Sequence, residues 1–458
     1  MLNLTKNEIA CSKGDILDYY RESCKQENDF MVGLEYERLS LDATTKRNAP
    51  YENLKKIIEY FASIRGWGIL RDGAGVVIGA MASGETNSPG AGGGYGAVTS
   101  ISLEPGGQFE LSLEKKKSIG EIESDSVQIL TLLDKIGDAH GVKFVPIGNT
   151  PYSTYRNINI VPKDRYLIMA DYLPAQGRFS PVMMRETAGV QVNLDYRNEE
   201  DALLKLRLAA KMSPFLTGFF ANSPMRAGKT LQYKSFRTLA WKYTDAARCG
   251  LFYKNLLKNR ACIGFEDYVD AILNVPMLFF ERGAKKIEVR GKINFKEFLE
   301  SGFEGHSATM QDYILHSSLT FPDVRLKNCI EIRNHDSHKL PLALAICAFY
   351  KGVMYSDTAM DEAAELLEGV ENINELGFLA AKHGLDFEIP EASTAGGVRN
   401  GASAAATSKF TARKITTKLF EIAHKNIGRD EQKYLEKPLE MLVSGRAPID
   451  EFNLEQFF

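Results

Sequence analysis

The chain has 458 residues, 44% hydrophobic and 25% charged, with a formal net charge of −3. This balance excludes a broad basic face, so no nucleic-acid partner is expected. A chain this long buries most of its surface without disulfides, and Cys11, Cys24, Cys249, Cys262, Cys329 and Cys347 show no CxxC spacing, so free thiols in a reducing, cytoplasmic compartment are expected.

The start, MLNLTKNEIACSKGD, lacks the apolar core of a signal peptide, and no run of about 18 apolar residues predicts a membrane span. The first strand is predicted over Phe30–Leu41, FMVGLEYERLSL. A helix follows over Asn53–Gly66, where Leu54, Ile57, Ile58, Phe61 and Ile64 recur at helical spacing and Gly66 supplies a stop. Val76–Met81 and Thr99–Leu111 read as strands, separated by a Gly- and Ser-rich loop, Ala82–Ala97. A helix is predicted near Ile119–His140, a strand over Val190–Tyr196, and a helix over Glu199–Phe220. Later strands are predicted at Lys286–Val289 and Cys329–Arg333. After about residue 340 the chain is mainly helical, with Leu340–Phe349 (LPLALAICAF) a buried helix and Ala392–Ala406 a loop. No composition break marks a linker, so residues 1–458 are read as one catalytic domain.

Side chains two apart on a strand point the same way. Glu35 and Glu37 therefore share a face, as do Gln108 and Glu110, then Gln191, Asn193 and Asp195, then Glu331 and Arg333. The opposite faces carry Leu34 and Tyr36, Phe109 and Leu111, Val190 and Val192, Ile330 and Ile332. This alternation predicts an α+β fold: a curved, mainly antiparallel sheet with helices on one face and a polar floor on the other. Singly, each acid row reads equally well as a solvated outer face. Four rows together repel one another unless a cation sits among them, and hard oxygen ligands suit magnesium bridging to phosphates. The Glu104–Gly107 turn adds two glycines that let backbone approach a ligand. Gly228-Lys229-Thr230 is no phosphate loop, because Ser223 stands where that motif needs glycine.

The blocks SISLEPGGQFELS, PKDRYLIMADYLP, MMRETAGVQVNLDY, FFANSP, NVPMLFF and FPDVRLKNCIEIR, in that order, resemble the plant-type glutamate–cysteine ligases, within the glutamine-synthetase-like carboxylate–amine ligases. The resemblance runs from about Val32 to about Tyr350. It implies a glutamine-synthetase-like catalytic fold, ATP as co-substrate and two or three magnesium ions. It also implies ligation of the glutamate γ-carboxylate to the amine of cysteine through an acyl phosphate, the first step of glutathione synthesis. Another amine acceptor is the alternative reading, and a monomer or homodimer is expected.

The resemblance carries metal-ligand roles onto Glu35, Glu37, Glu110 and Glu331, with Glu104 a further site acid. It makes Gln191 and Asn193 partners of nucleotide, metal or water. Arg237 and Trp241 in FRTLAW are expected near the amino-acid substrates, Arg333 near phosphate, and Arg248 in TDAARCG in the catalytic set. Arg325 and Lys327 are weaker candidates. Arg185 and Thr187 are expected at substrate, but Glu186 occupies a position where the resemblance expects Arg. Either Arg185 reaches round or a substrate contact differs.

Overall fold

The computed structural model describes residues 10–82, 98–251, 253, 264–283, 285–389 and 411–458. The expected Gly-rich loop, from residue 83 on, and the expected loop at 392–406 lie outside the described residues.

In chain order the described strands are β1 (Val32–Asp42), β2 (Gly68–Arg71), β3 (Val77–Met81), β4 (Ser100–Leu103), β5 (Phe109–Ser112), β6 (Val142–Val145), β7 (Gly189–Leu194), β8 (Met225–Arg226), β9 (Lys229–Thr230), β10 (Phe279–Arg282), β11 (Lys285–Glu288), β12 (Val324–Leu326) and β13 (Ile330–Asp336). Nine of them form one sheet in the order β12-β13-β7-β1-β5-β4-β3-β2, with β6 pairing the far half of β1. Every pairing in it is antiparallel. The four strands expected to carry acids or amides, β13, β7, β1 and β5, are contiguous. The strand expected at Lys286–Val289 exists as β11, but it pairs only with β10 and stands apart from the main sheet.

The sheet's apolar face supplies the core. Leu34, Val190, Val192, Ile330 and Ile332 are wholly buried there. The helix Leu340–Met354 packs against β1 and β7, and Glu199–Phe219 packs against β12 and β13. The helix Tyr51–Arg65 buries Leu54, Ile57, Ile58 and Phe61 and ends at Gly66, whose φ of 66° is the left-handed cap predicted for it. One continuous apolar cluster runs from Ile16 to Ala447, so the helical C-terminal part shares a core with the sheet.

Two irregularities shape the polar face. Between β4 and β5 the Glu104–Gly107 turn closes with Gly107 N–H donating to Glu104 O at 2.8 Å, and Gly107 has φ 79°. A Cβ at Gly106 would stand 2.3 Å from Arg185 O, so only glycine lets this turn lie against the helix Ser180–Glu186. On β13 the pairing with β7 slips between Ile332 and His335, a bulge that takes Arg333 and Asn334 out of the ladder.

Candidate active site

Antiparallel register gathers the acids. Glu37 lies opposite Glu110, and Glu35 lies opposite Gln191. The face is not a solvated one: Glu35 is 4% exposed, Glu110 8% and Asn193 2%. Each of four acids has one oxygen pinned. Asn193 Nδ2 donates to Glu35 Oε1 at 2.8 Å, and Gly189 N–H to Glu37 Oε2 at 2.6 Å. Ser112 Oγ donates to Glu110 Oε1 at 2.7 Å, and Tyr166 Oη to Glu104 Oε1 at 3.2 Å. Among the described residues the nearest donor to the other oxygens is Gln191 Nε2, 3.5 Å from Glu37 Oε1.

Burial, then the charge of Glu104, pushes Glu37 up to about 7 from its ordinary 4.5. Burial and then Glu331 raise Glu35, while burial followed by Glu104, Glu35 and Glu37 holds Glu110 well above the carboxylate range. Glu35, Glu37, Glu104 and Glu110 thus crowd one electrostatic neighbourhood. Acids anchored through one oxygen, the second held by nothing closer than the 3.5 Å Gln191 contact to Glu37, with mutual repulsion to relieve, form a donor set that fits a hard divalent cation. Among the described residues no three acids yet share metal-ligand geometry, so gathering on an ion takes side-chain rotation.

Glu331, also expected among the metal ligands, has different surroundings. Both its oxygens are taken: Arg325 Nη2 donates to Oε1 at 2.9 Å and Arg325 Nε to Oε2 at 2.5 Å. Lys327 Nζ stands 3.2 Å from Oε2, and Arg333 Nη1 is 3.1 Å from Oε1. Burial raises its pKa, but Arg325, Lys327 and Arg333 outweigh burial and hold it well below the carboxylate range. In this structure Glu331 anchors a cationic half of the sheet face. Arg333 Nη1 also donates to Gln191 Oε1, so Gln191 bridges the cationic half to Glu37. Asn193 spends its amide on Glu35 and accepts from Cys329 Sγ at 3.4 Å, which makes it a positioning residue.

Beyond Arg333 lies a cavity of about 20 Å³ lined by Arg237, Trp241, Lys242, Asp323 and Asn334 among others. The Arg237 and Arg333 guanidinium carbons lie 5.7 and 5.8 Å from the Trp241 ring centre. The bulge in β13 and the short helix Phe236–Lys242 bring these residues together across about 100 positions.

Other expected residues are placed elsewhere. Arg248 is wholly buried; its Nε pairs with Asp245 Oδ2 at 2.6 Å, and its Nη atoms donate to Leu319 O and Pro276 O. It braces three loops, and those contacts are structural ones. The Thr187 hydroxyl donates back to Met183 O at 2.7 Å. Arg185 donates to Tyr155 O at 2.9 Å, holding the loop before the helix Asp164–Tyr172. Glu186 is wholly buried and clasped by Arg226, with Nε–Oε2 2.6 Å and Nη2–Oε1 2.8 Å. The guanidinium missing from position 186 thus arrives beside it from β8. Gln108 donates to Met184 O and Thr187 O, tying the PGG turn to the end of the helix Ser180–Glu186.

Lys163 went unnoticed in sequence. It caps the helix Asp164–Tyr172, its ammonium 4.8 Å from the Tyr166 ring centre. Burial and then Arg165 bring it down to about 8, against the pull of Glu104 and Glu110. It is a cation beside the acid half, and the only sequence signal for it was the PKDRY block.

Comparisons with known proteins bear on the fold and the family. The Francisella tularensis glutamate–cysteine ligase, solved with AMP, superposes with a TM-score of 0.54 at 11% identity, covering 92% of this chain and 84% of that one. That likeness is one of fold, an antiparallel sheet backed by helices. Glutamate–cysteine ligase B of Oryza sativa subsp. japonica is 31% identical over 358 residues, 78% of this chain and 68% of that protein. The Medicago truncatula chloroplastic enzyme is 31% identical, over 78% of this chain and 67% of its own length. The model of glutamate–cysteine ligase family 2 matches residues 31–453, and the chain belongs to that family.

Proposed function

We propose that the protein joins the γ-carboxylate of L-glutamate to the amino group of L-cysteine at the expense of ATP, the first step of glutathione synthesis. The observation that carries this reading is the division of one buried sheet face into an acid half and a cationic half, bridged by Gln191. ATP and glutamate bring several negative charges together, and phosphoryl transfer is mostly positioning and charge neutralisation. Magnesium, held by Glu35, Glu37, Glu110 and Glu104, would neutralise the phosphates; the raised pKa values of Glu35, Glu37 and Glu110 support that assignment. Arg333, with Lys163 at the opposite edge, is suited to meet phosphate oxygens.

A γ-carboxylate oxygen attacks the γ-phosphorus and the bond to ADP breaks. The neutral amine then attacks the acyl carbon, phosphate leaves, and the amine's extra proton passes to a base. The buried face keeps water from the acyl phosphate. A reducing, cytoplasmic setting is supported by the five described cysteines, all unpaired.

The test is phosphate release by purified protein with ATP, magnesium and glutamate across a panel of amino acids. Cysteine-dependent release with γ-glutamylcysteine as product is expected. Equal release with unrelated amines would leave the glutamate half standing and replace the acceptor. Release with no amide product at all would defeat ligation.

A further inference from the structure

The cavity beside Arg333 holds polar groups that the chemistry above leaves unused. Three buried polar atoms on its lining residues have no hydrogen-bond partner: Arg237 Nε, Trp241 Nε1 and Asn334 Oδ1. A buried donor or acceptor left unmade is costly, so a cluster of three in one cavity asks for a ligand that completes them. Asn334 cannot turn its amide round cheaply. Its Nδ2 donates to Ser213 O at 3.1 Å and Thr217 Oγ1 at 2.9 Å, so Oδ1 is presented as an acceptor. Asp323 uses its backbone carbonyl to receive Arg333 N–H at 2.9 Å, and its carboxylate forms no ion pair among the described residues. The wall therefore offers two open donors on cationic or aromatic groups, and two open acceptors, one of them charged. That pairing complements a zwitterion: a carboxylate for Arg237 and Trp241, an ammonium for Asp323 and Asn334. At about 20 Å³ the inner end takes a group the size of one water or one ammonium, and no side chain.

Resting on the ligase reading, we propose that Asp323 and the Asn334 amide oxygen hold the unreactive ammonium of the amino-acid donor, and so make the site reject dicarboxylates that lack it. The donor rather than the acceptor is meant for a chemical reason. The acceptor's amine must shed a proton and attack, whereas an ammonium clasped by a carboxylate keeps its proton and has no lone pair to give. The donor's α-amino group takes no part in the reaction and can be held throughout. Arg333 links the cavity to the sheet face through Gln191, so a donor anchored here has its far carboxylate free to reach the acids.

The test is titration calorimetry of L-glutamate and of glutarate, which differs only in lacking the amino group, with magnesium and a non-hydrolysable ATP analogue. The wild type is expected to bind glutamate about a hundredfold more tightly than glutarate, and Asp323→Asn to weaken glutamate about tenfold or more while leaving glutarate unchanged. Asp323→Glu should recover part of the loss, and the KM values for cysteine and ATP should stay within about twofold. Wild-type protein that binds glutarate as well as glutamate overturns the proposal without any variant. So does an Asp323→Asn protein of native melting temperature with unchanged discrimination, or one in which only the KM for cysteine rises. Wild type that binds neither acid overturns the ligase reading as well, a result distinct from the others.

Discussion

Glu37 and Glu331 stand on neighbouring stretches of one sheet face, both drawn out of water, yet they are driven in opposite directions. Glu37 shares its surroundings with Glu104 and Glu110 and is pushed up to about 7. Glu331 sits among Arg325, Lys327 and Arg333 and is held well below the carboxylate range. Burial raises both, so it is the neighbours that decide the sign. The acid half stores repulsion that a cation can relieve. The cationic half is already neutralised in part and leaves Arg333 in reach of an incoming anion. One half is built to be completed by a ligand, the other to be stable without one.

Breaking the acid half should have the largest effect on activity. Glu110→Gln is expected to lower kcat/KM by about a thousandfold or more, because a ligand of the charge-neutralising set is lost. Its metal-free melting temperature should hold or rise, since a buried repelling charge is gone. A Glu110→Gln protein that keeps half its activity would remove that residue from the site.

Breaking the cationic half should instead cost stability. Arg325→Met takes the two-point partner from the buried Glu331 and leaves it to Lys327 and Arg333, and a loss of about 3 kcal/mol in denaturant unfolding is expected. A similar loss is expected for Arg248→Met, which strands Asp245, but with kcat of the folded protein within a few-fold of wild type. If Arg248→Met folds normally and loses turnover, the structural assignment of Arg248 is wrong.

The smallest effect sharpens the contrast through pH. Glu37 has a folded pKa of about 7, above its ordinary 4.5. The stability it contributes when protonated is fully present below about 4.5 and is lost as pH rises through about 7. Metal-free protein should therefore lose roughly 1–3 kcal/mol across that window, and Glu37→Gln should flatten the loss. Magnesium binding must expel the same protons, so its apparent affinity should climb over the same range. Calorimetry in buffers of different ionisation enthalpy measures the released protons directly, and none released would break the link.

The strands that build the site were legible because their signals are local. GLEYE, QFEL, VQVNL and IEIR alternate polar and apolar residues within a few positions, and β1, β5, β7 and β13 follow them. The PGG turn was legible for the same reason. Short strands such as β6 and β12 were not, since three or four residues carry too little pattern to stand out. The partners of the acids were also hidden. Tyr166 reaches Glu104 across 62 positions, Gly189 reaches Glu37 across 152, and Arg226 reaches Glu186 across 40.

The sequence by itself determined the alternation that puts acids on one side of each strand, the helices that cover the other side, and the family to which those blocks belong. Period and composition act over a turn of helix or a few strand residues, and a single chain displays them in full. Only the tertiary structure decided that Glu331 is surrounded by Arg325, Lys327 and Arg333, that Arg248 braces loops, and that Asp323 and Asn334 line one cavity. Those outcomes depend on which charges meet across strands and loops, and a charge's energy is set by neighbours that linear order does not reveal.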